Sequence, residues 1–312
     1  MQEELLRQKQ EQQRQQQQQQ QAQKREEQKQ RRDQRAPACG AETSPRPSDA
    51  LAALRAQCVE RSAEVGEEAS RVKLVVFDLD ETLTLMSFMI EERDPPRIQR
   101  EIVKVNFESP WVEGRRIPKL QSMLTDLATS ESGEKRALAV LTRNGAGAEA
   151  VLRLLKAAGL ADHFDAIWTM PWRDAKPNGV HRQGGDWQAF DPPRQEVGAH
   201  KADILAAVVR EPAAWLPQLA SGREESQQDL LHLRPESVVL VDDQGANFQN
   251  LTSGAKVLRY CRVARYDAVY RNMGLVKHMG GIGAHSDEDY EVLRRFVENP
   301  SAYKEHGPPL VA

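Results

Sequence analysis

The segment VVFDLDETLT at residues 75–84 decides the fold. It overlaps a continuous apolar run, KLVVF at residues 73–77, which is typical of a strand buried on both faces of a parallel sheet. Two acidic residues, Asp78 and Asp80, follow this run directly. Carboxylates placed where such a strand ends lie at the edge of the sheet where open α/β proteins bind their ligands. The segment therefore predicts both a buried strand and a functional site.

Two further apolar runs have the same character, ALAVL at residues 137–141 and SVVLV at residues 237–241, and a shorter strand is predicted at 166–169. Segments with helical spacing of apolar residues separate them, at residues 118–127 and 148–158. This alternation indicates βαβ units. It predicts an α/β protein with a three-layer, Rossmann-like fold around a central parallel sheet.

Polar residues follow each of the later strands. Thr142 and Arg143 come after the second strand, and Asp242 and Asp243 come after the third. If the three strands are parallel neighbours, these side chains meet the two aspartates of the first strand in one crevice. Close carboxylates raise one another's pKa and need a cation nearby. Oxygen ligands favour Mg²⁺, which binds one or two carboxylates, such as Asp78 and Asp243, together with a phosphate oxygen.

The spacing of Asp78 and Asp80 allows the two carboxyl groups separate roles. One can attack phosphorus and form an aspartyl-phosphate, while the other protonates the leaving oxygen and later activates water. The hydroxyl of Thr142 can hold a phosphate oxygen, and a lysine can balance the developing charge. This arrangement of residues is chemically able to transfer a phosphoryl group.

The order of the motifs VVFDLDETLT, VLTRN, a downstream lysine and VLVDDQGAN resembles that of the haloacid dehalogenase-like (HAD) phosphohydrolase superfamily. The resemblance covers about residues 71–260. It implies that Asp78 is the nucleophile, that Asp80 is the general acid and base, and that Thr142 binds phosphate. Arg143 is a further candidate for phosphate binding, or it simply begins a loop.

For the metal, the resemblance implies Asp243 as the main acidic ligand of Mg²⁺, with Asp242 as its partner. Asp78 contributes to the same site, and Asp80 contributes through its backbone carbonyl. Asn247 matches the last position of the D-D-x-x-x-N form of the motif. It is expected to support the site without binding the metal itself.

Two lysines compete for the role of the phosphate-binding cation. Lys176 lies in the sequence AKP, just before a hairpin that we predict at residues 177–197. Lys201 opens the helix HKADILAAVV, which leads to the third strand. We favour Lys201 because it lies nearer that strand in sequence, and Lys176 is then a residue at the rim of the site.

The chain between Asp78 and Thr142 is short and leaves room for a flap and one helix. The resemblance therefore implies a small or absent cap, as in relatives that act on bulky phosphorylated substrates. We expect a Mg²⁺-dependent phosphomonoester hydrolase whose substrate is a small molecule or a protein, with a phosphoprotein as the first candidate. A phosphotransferase or phosphomutase is an alternative, and so is a non-catalytic scaffold protein with the same fold.

Composition divides the chain into segments, which are a Gln-rich tail at 1–36, a linker at 37–48, a helix at 49–70, the phosphatase-like domain at 71–300 and a C-terminal tail at 301–312. Sixteen of the first 36 residues are glutamine, so this tail cannot bury a core of its own. It is either a low-complexity extension or a solvated helix that binds a protein partner.

Several classes of protein are disfavoured by composition. The net charge of −3 among 312 residues gives no reason to expect a nucleic-acid partner. No apolar run approaches the roughly 20 residues that a bilayer-spanning helix needs, and the N-terminus lacks the apolar region of a secretory signal. We therefore expect an intracellular protein, cytoplasmic or nuclear. The spacing of Cys39, Cys58 and Cys261 suggests neither a disulfide framework nor a zinc site.

Overall fold

The computed structural model describes residues 71–109, 112–170, 178–194, 199–220, 232–249, 259–263, 265–270 and 275–302. The Gln-rich segment, the linker and the helix predicted at 49–70 lie outside these residues, as do Cys39, Cys58 and Lys176. Of the predicted C-terminal tail, residues 301–302 are described.

The strands are β1 (Leu74–Phe77), β2 (Ala137–Thr142), β3 (Ala166–Thr169), β4 (Asn178–Gln183), β5 (Asp186–Phe190), β6 (Val238–Asp242), β7 (Arg259–Arg262), β8 (Arg265–Tyr270) and β9 (Leu275–Gly280). The α-helices are α1 (Pro96–Phe107), α2 (Arg116–Leu127), α3 (Ala148–Ala157), α4 (Lys201–Arg210), α5 (Pro212–Trp215), α6 (Pro217–Ala220) and α7 (Glu288–Glu298).

Seven of the strands form one sheet in the order β5-β4-β3-β2-β1-β6-β7. The five strands from β3 to β7 in this order are parallel, and β4 and β5 extend the sheet as an antiparallel hairpin. Strands β8 and β9 form a separate antiparallel pair. The predicted α/β fold with a mostly parallel central sheet is therefore confirmed.

The central strands are buried on both faces, which explains why their sequences are continuously apolar. In β1, Val75 and Phe77 contribute to the core on one face of the sheet, and Leu74 and Val76 contribute to the core on the other. Side chains of α2, α3 and α7 complete the first core, and side chains of α4 complete the second. The central strands are thereby packed on both faces, and their ends set where the following residues begin.

The predicted hairpin is confirmed where β4 and β5 pair, between residues 178 and 190, and residues 177 and 195–197 of the predicted range lie outside the described residues. A two-residue turn, Gly184 and Gly185, joins the strands. Both glycines have positive φ, 61° and 97°, as tight hairpin turns require. The hairpin extends the sheet beyond β3.

The expectation of a single helix between the first two strands is wrong, because α1 precedes α2 there. Helix α1 has the sequence PRIQREIVKVNF and buries only Asn106 and Phe107 at its C-terminal end. Its apolar residues Ile98, Ile102 and Val105 recur at helical spacing, but Ile98 and Val105 are exposed. A proline at its first position favours the helix start.

Among the described residues, no helix is both long enough and apolar enough to cross a bilayer.

Asp165, just before β3, makes stability dependent on pH. Its carboxylate accepts a hydrogen bond from Leu138 N–H at 2.9 Å. Burial raises its pKa from 3.8 to about 6, although this hydrogen bond acts in the opposite direction. The folded state therefore holds a proton more tightly than the unfolded state, so this group lowers stability as pH rises from about 4 to about 6.

We expect Asp165→Asn to flatten the change in stability between pH 4 and 6 and to stabilise the protein at pH 7 by about 1 kcal/mol. The modest figure allows for solvent screening of a carboxyl that is partly exposed. Denaturant unfolding of both proteins across this pH range is the measurement. Equal pH dependence in the two proteins would contradict the expectation.

Candidate functional site

The C-terminal ends of three strands bring the predicted acidic residues together. Strand β1 pairs in parallel with β2 on one side and with β6 on the other, and Phe77 lies opposite Val140 and Val241. The residues that follow these strands therefore meet at one edge of the sheet. Carboxylate oxygens of Asp78, Asp242 and Asp243 lie within 4.8 Å of one another, and all three residues are buried.

Lys201, at the start of α4, lies between two of these carboxylates. Its Nζ is 2.6 Å from Asp78 Oδ1 and 2.7 Å from Asp242 Oδ2. The side chain is 1% exposed. Burial alone lowers the pKa of this ammonium group, but the two carboxylates outweigh it and the pKa is raised. Of the two competing lysines, the structure brings Lys201 to the carboxylates, and Lys176 lies outside the described residues.

The carboxylate of Asp78 is held through one of its oxygens. Oδ1 accepts a hydrogen bond from Leu79 N–H at 2.7 Å and contacts Lys201. Burial raises the pKa of Asp78 well above its usual value; Lys201 opposes this shift, whereas Asp242 and Asp243 add to it. In the part of the chain that the structure describes, Oδ2 makes no hydrogen bond, so this oxygen is available for chemistry.

Asp242 accepts hydrogen bonds from several directions. Besides its contact with Lys201, it accepts Gln244 N–H at 2.7 Å and the amide of Asn247 at 3.0 and 3.1 Å. The structure thus places Asn247 against Asp242. Both oxygens of Asp242 are therefore engaged.

The side chain of Asp80 lies apart from the three-carboxylate cluster. Its carboxylate accepts a hydrogen bond from Thr142 Oγ1 at 3.4 Å and from Asn144 Nδ2 at 3.3 and 3.4 Å. The hydroxyl of Thr142, which is fully buried, also accepts Asn144 N–H at 3.1 Å. Thr142 and Asn144 therefore both contact the carboxylate of Asp80, the predicted acid.

Arg143 connects the loop after β2 to the start of α4. Its guanidinium donates a hydrogen bond to the carbonyl of Ala199. Burial lowers the pKa of Arg143, and the nearby charges of Asp242 and Asp78 counteract that effect. Arg143 is therefore within electrostatic range of the cluster.

Arg116 was not predicted from the sequence. It is fully buried and donates hydrogen bonds to backbone carbonyls of the segment that follows Asp80. An arginine at a helix start, next to other charged residues, is usually exposed, so no sequence signal indicates this role.

A cleft of about 500 Å³ lies between the start of α3 and the β4–β5 hairpin. Asn178 holds these elements together, because its Oδ1 accepts Ala148 N–H and the hydroxyl of Thr169, both at 2.7 Å. The loop that carries Asn144 leads into the wall of this cleft. Most of its lining is apolar or small, and its charged side chains are those of Glu149, Arg153 and Asp191.

The three buried carboxylates could hold a metal ion, and their oxygen atoms suit several divalent cations. Comparison of the chain with protein-family models finds no match, and comparison with curated proteins finds none either. The residues of the site and their geometry are therefore what supports a function for this chain.

Proposed function

We propose that the protein is a Mg²⁺-dependent phosphomonoester hydrolase of the HAD type, which acts through an aspartyl-phosphate on Asp78. The observation that carries the proposal is the setting of this carboxylate. One oxygen is held by Lys201 and Leu79 N–H, the other makes no hydrogen bond within the described residues, and a second carboxyl group, Asp80, lies outside the cluster. A nucleophile and a separate proton donor are the two groups that this chemistry needs.

The charge of the cluster fits a divalent cation. Three buried carboxylates share one buried ammonium group, that of Lys201, and close like charges are unfavourable without compensation. Asp78 and Asp243 would hold Mg²⁺, with the backbone carbonyl of Asp80 as a further ligand. When bound, the ion supplies a Lewis acid that attracts the phosphate and neutralises its charge.

In the first step, Oδ2 of Asp78 attacks phosphorus and the ester P–O bond breaks. Asp80, in its protonated form, gives its proton to the departing oxygen, so the alcohol leaves neutral. Lys201 balances negative charge beside the phosphoryl group. Thr142 and Asn144 orient the carboxyl of Asp80 through their hydrogen bonds.

In the second step, water attacks the phosphorus of the aspartyl-phosphate. Asp80, now ionised, takes the proton from water, and the P–O bond to Asp78 breaks. Inorganic phosphate leaves and the carboxylate of Asp78 is restored. A phosphotransferase would differ only in using an acceptor hydroxyl in place of water.

The test is hydrolysis of p-nitrophenyl phosphate, of a phosphopeptide panel and of sugar phosphates by the purified full chain. We expect turnover with Mg²⁺, loss of turnover in excess chelator, and recovery when Mg²⁺ is restored. Phosphate released in equal amount to p-nitrophenol indicates hydrolysis, whereas phosphate retained on an added alcohol indicates transfer. A folded protein that is inactive on every substrate with every divalent metal would favour the scaffold alternative.

A further inference from the structure

Arg116, at the start of α2, has no exposed surface. Its guanidinium donates hydrogen bonds to the carbonyls of Leu83 and Ile282, both at 2.7 Å, and to that of Thr82 at 3.4 Å. Two of these acceptors belong to the turn that carries Asp80, and the third lies after β9. Arg116 therefore connects the candidate acid to the C-terminal part of the domain.

The turn that carries Asp80 has an unusual backbone. Residues Leu79–Leu83 form a tight turn whose dihedral angles are not helical at Asp80 and Glu81, and Glu81 has a φ of 59°. A residue other than glycine in this left-handed region persists only where its surroundings hold it. Thr84 closes the turn by donating both N–H and hydroxyl to Leu79 O at 2.9 Å. Arg116 and Ile282 N–H, which donates to Thr82 O at 2.9 Å, hold the carbonyls of the turn from outside.

The C-terminal segment is closely fitted around Arg116. A Cβ atom on Gly281 would lie 3.0 Å from Arg116 Nη2, and one on Gly283 would lie 2.1 Å from the Tyr290 ring. Asp289, which is 3% exposed, accepts Gly283 N–H at 2.8 Å. Burial lowers the pKa of Arg116 to about 10, and Tyr290 and Asp289 counteract part of that shift. This segment thus keeps the carbonyl of Ile282 in place as an acceptor.

The hydrogen bonds that the Asp80 carboxylate accepts are long. Its carboxylate meets Thr142 and Asn144 at 3.3–3.4 Å, near the limit of a hydrogen bond. The backbone of the turn must therefore supply much of the orientation of this side chain. Arg116 is the side chain that fixes this backbone at the Leu83 and Thr82 carbonyls.

We propose that Arg116 is a positioning residue, which fixes the turn so that Asp80 reaches the leaving-group oxygen. The inference rests on the proposed phosphatase function. It predicts a kinetic signature that a loss of stability alone does not produce. Phenolate leaves poorly without a proton and p-nitrophenolate leaves well, so misplacing the acid slows hydrolysis of phenyl phosphate more than that of p-nitrophenyl phosphate.

The experiment compares kcat/KM for these two esters, which reports the step in which the leaving group departs. In Arg116→Lys, we expect the ratio of phenyl to p-nitrophenyl phosphate to fall about tenfold relative to the wild type. Asp80→Asn should lower the same ratio. Adding Arg116→Lys to Asp80→Asn should lower it no further, because both changes act on the same proton transfer.

Arg136 provides a matched control. It is also buried, donates to Val72 O at 3.1 Å and pairs with Glu298 of α7 at 2.7 Å. It directly precedes β2, so it lies at the opposite edge of the sheet from the site. We expect Arg136→Lys to lower stability without changing the ratio. Equal losses on both esters in Arg116→Lys, or the same change of ratio in Arg136→Lys, would overturn the inference.

If Arg116→Lys does not fold, Asp289→Asn replaces it, since asparagine keeps an acceptor for Gly283 N–H and removes only the charge near Arg116. The expected change of ratio has the same direction, and an unchanged ratio overturns the inference. Hydrogen exchange of the Thr84 backbone amide tests whether Arg116 holds the turn, and it needs no activity assay. We expect this exchange to be about tenfold faster than in the wild type in whichever of the two variants folds. An inactive wild type refutes the phosphatase proposal and, with it, the catalytic role of Arg116. Unchanged exchange refutes the positioning itself.

Discussion

We expect Asp78→Asn to lower kcat for p-nitrophenyl phosphate by about a thousandfold or more, because an amide is a far poorer nucleophile than a carboxylate. The change is almost isosteric. It also removes one of three buried carboxylates, and burial together with the neighbouring carboxylates already disfavours the ionised form of Asp78. The variant should therefore be at least as stable as the wild type without metal, so loss of activity is not loss of fold.

The measurement combines steady-state kinetics with unfolding curves for both proteins. Rapid mixing should show a burst of p-nitrophenol in the wild type if hydrolysis of the aspartyl-phosphate is slow, and no burst in Asp78→Asn. Asp165→Asn is the matched control, since it makes the same chemical change just before β3 and away from the cluster. Activity in Asp78→Asn above about a tenth of the wild type would exclude this residue as the nucleophile.

We expect Lys201→Met to have the second large effect. Removing the ammonium group leaves Asp78 and Asp242 buried without the cation that contacts both. Breaking a buried ion pair in this way typically costs about 3–5 kcal/mol of stability. The loss of charge beside the phosphoryl group should also lower kcat by on the order of a hundredfold.

Bound Mg²⁺ should stabilise Lys201→Met more than the wild type, since it supplies the positive charge that the variant lacks. Denaturant unfolding with Mg²⁺ and with chelator, together with kcat, measures both effects. Lys176→Met is the control for the competing lysine and should retain wild-type activity. A large loss of activity in Lys176→Met, with little change in Lys201→Met, would reverse the assignment of the two lysines.

The strands and the residues that end them could be predicted because their signal is local. Strands β1, β2 and β6 contain continuous apolar runs of four or five residues, each followed directly by polar groups, and Thr142 and Asp242 are the last residues of β2 and β6. The strand predicted at residues 166–169 and the two-glycine hairpin are equally local features. Helix α1 was not predicted, although Ile98, Ile102 and Val105 recur in it at helical spacing and provide a local signal of the same kind.

The contacts of the site depend on segments that are distant in sequence. Lys201 contacts Asp242 from 41 positions away, and Arg116 contacts Leu83 and Ile282 from 33 and 166 positions away. No local pattern distinguishes a buried arginine from an exposed one when both lie among charged neighbours. Only the packing of α2 and of the segment after β9 removes Arg116 from water.

The sequence by itself determined the α/β fold and the acidic residues at the strand ends, because buried strands and helices need apolar side chains at regular spacing along the chain. The tertiary structure alone decided which polar groups meet. It placed Lys201 between Asp78 and Asp242, separated Asp80 from the cluster, and brought Arg116 to the turn beyond it. The physical reason is that hydrogen bonds and ion pairs form only when the distance between their atoms is correct to within a few tenths of an ångström, and strand register and helix packing together set that distance.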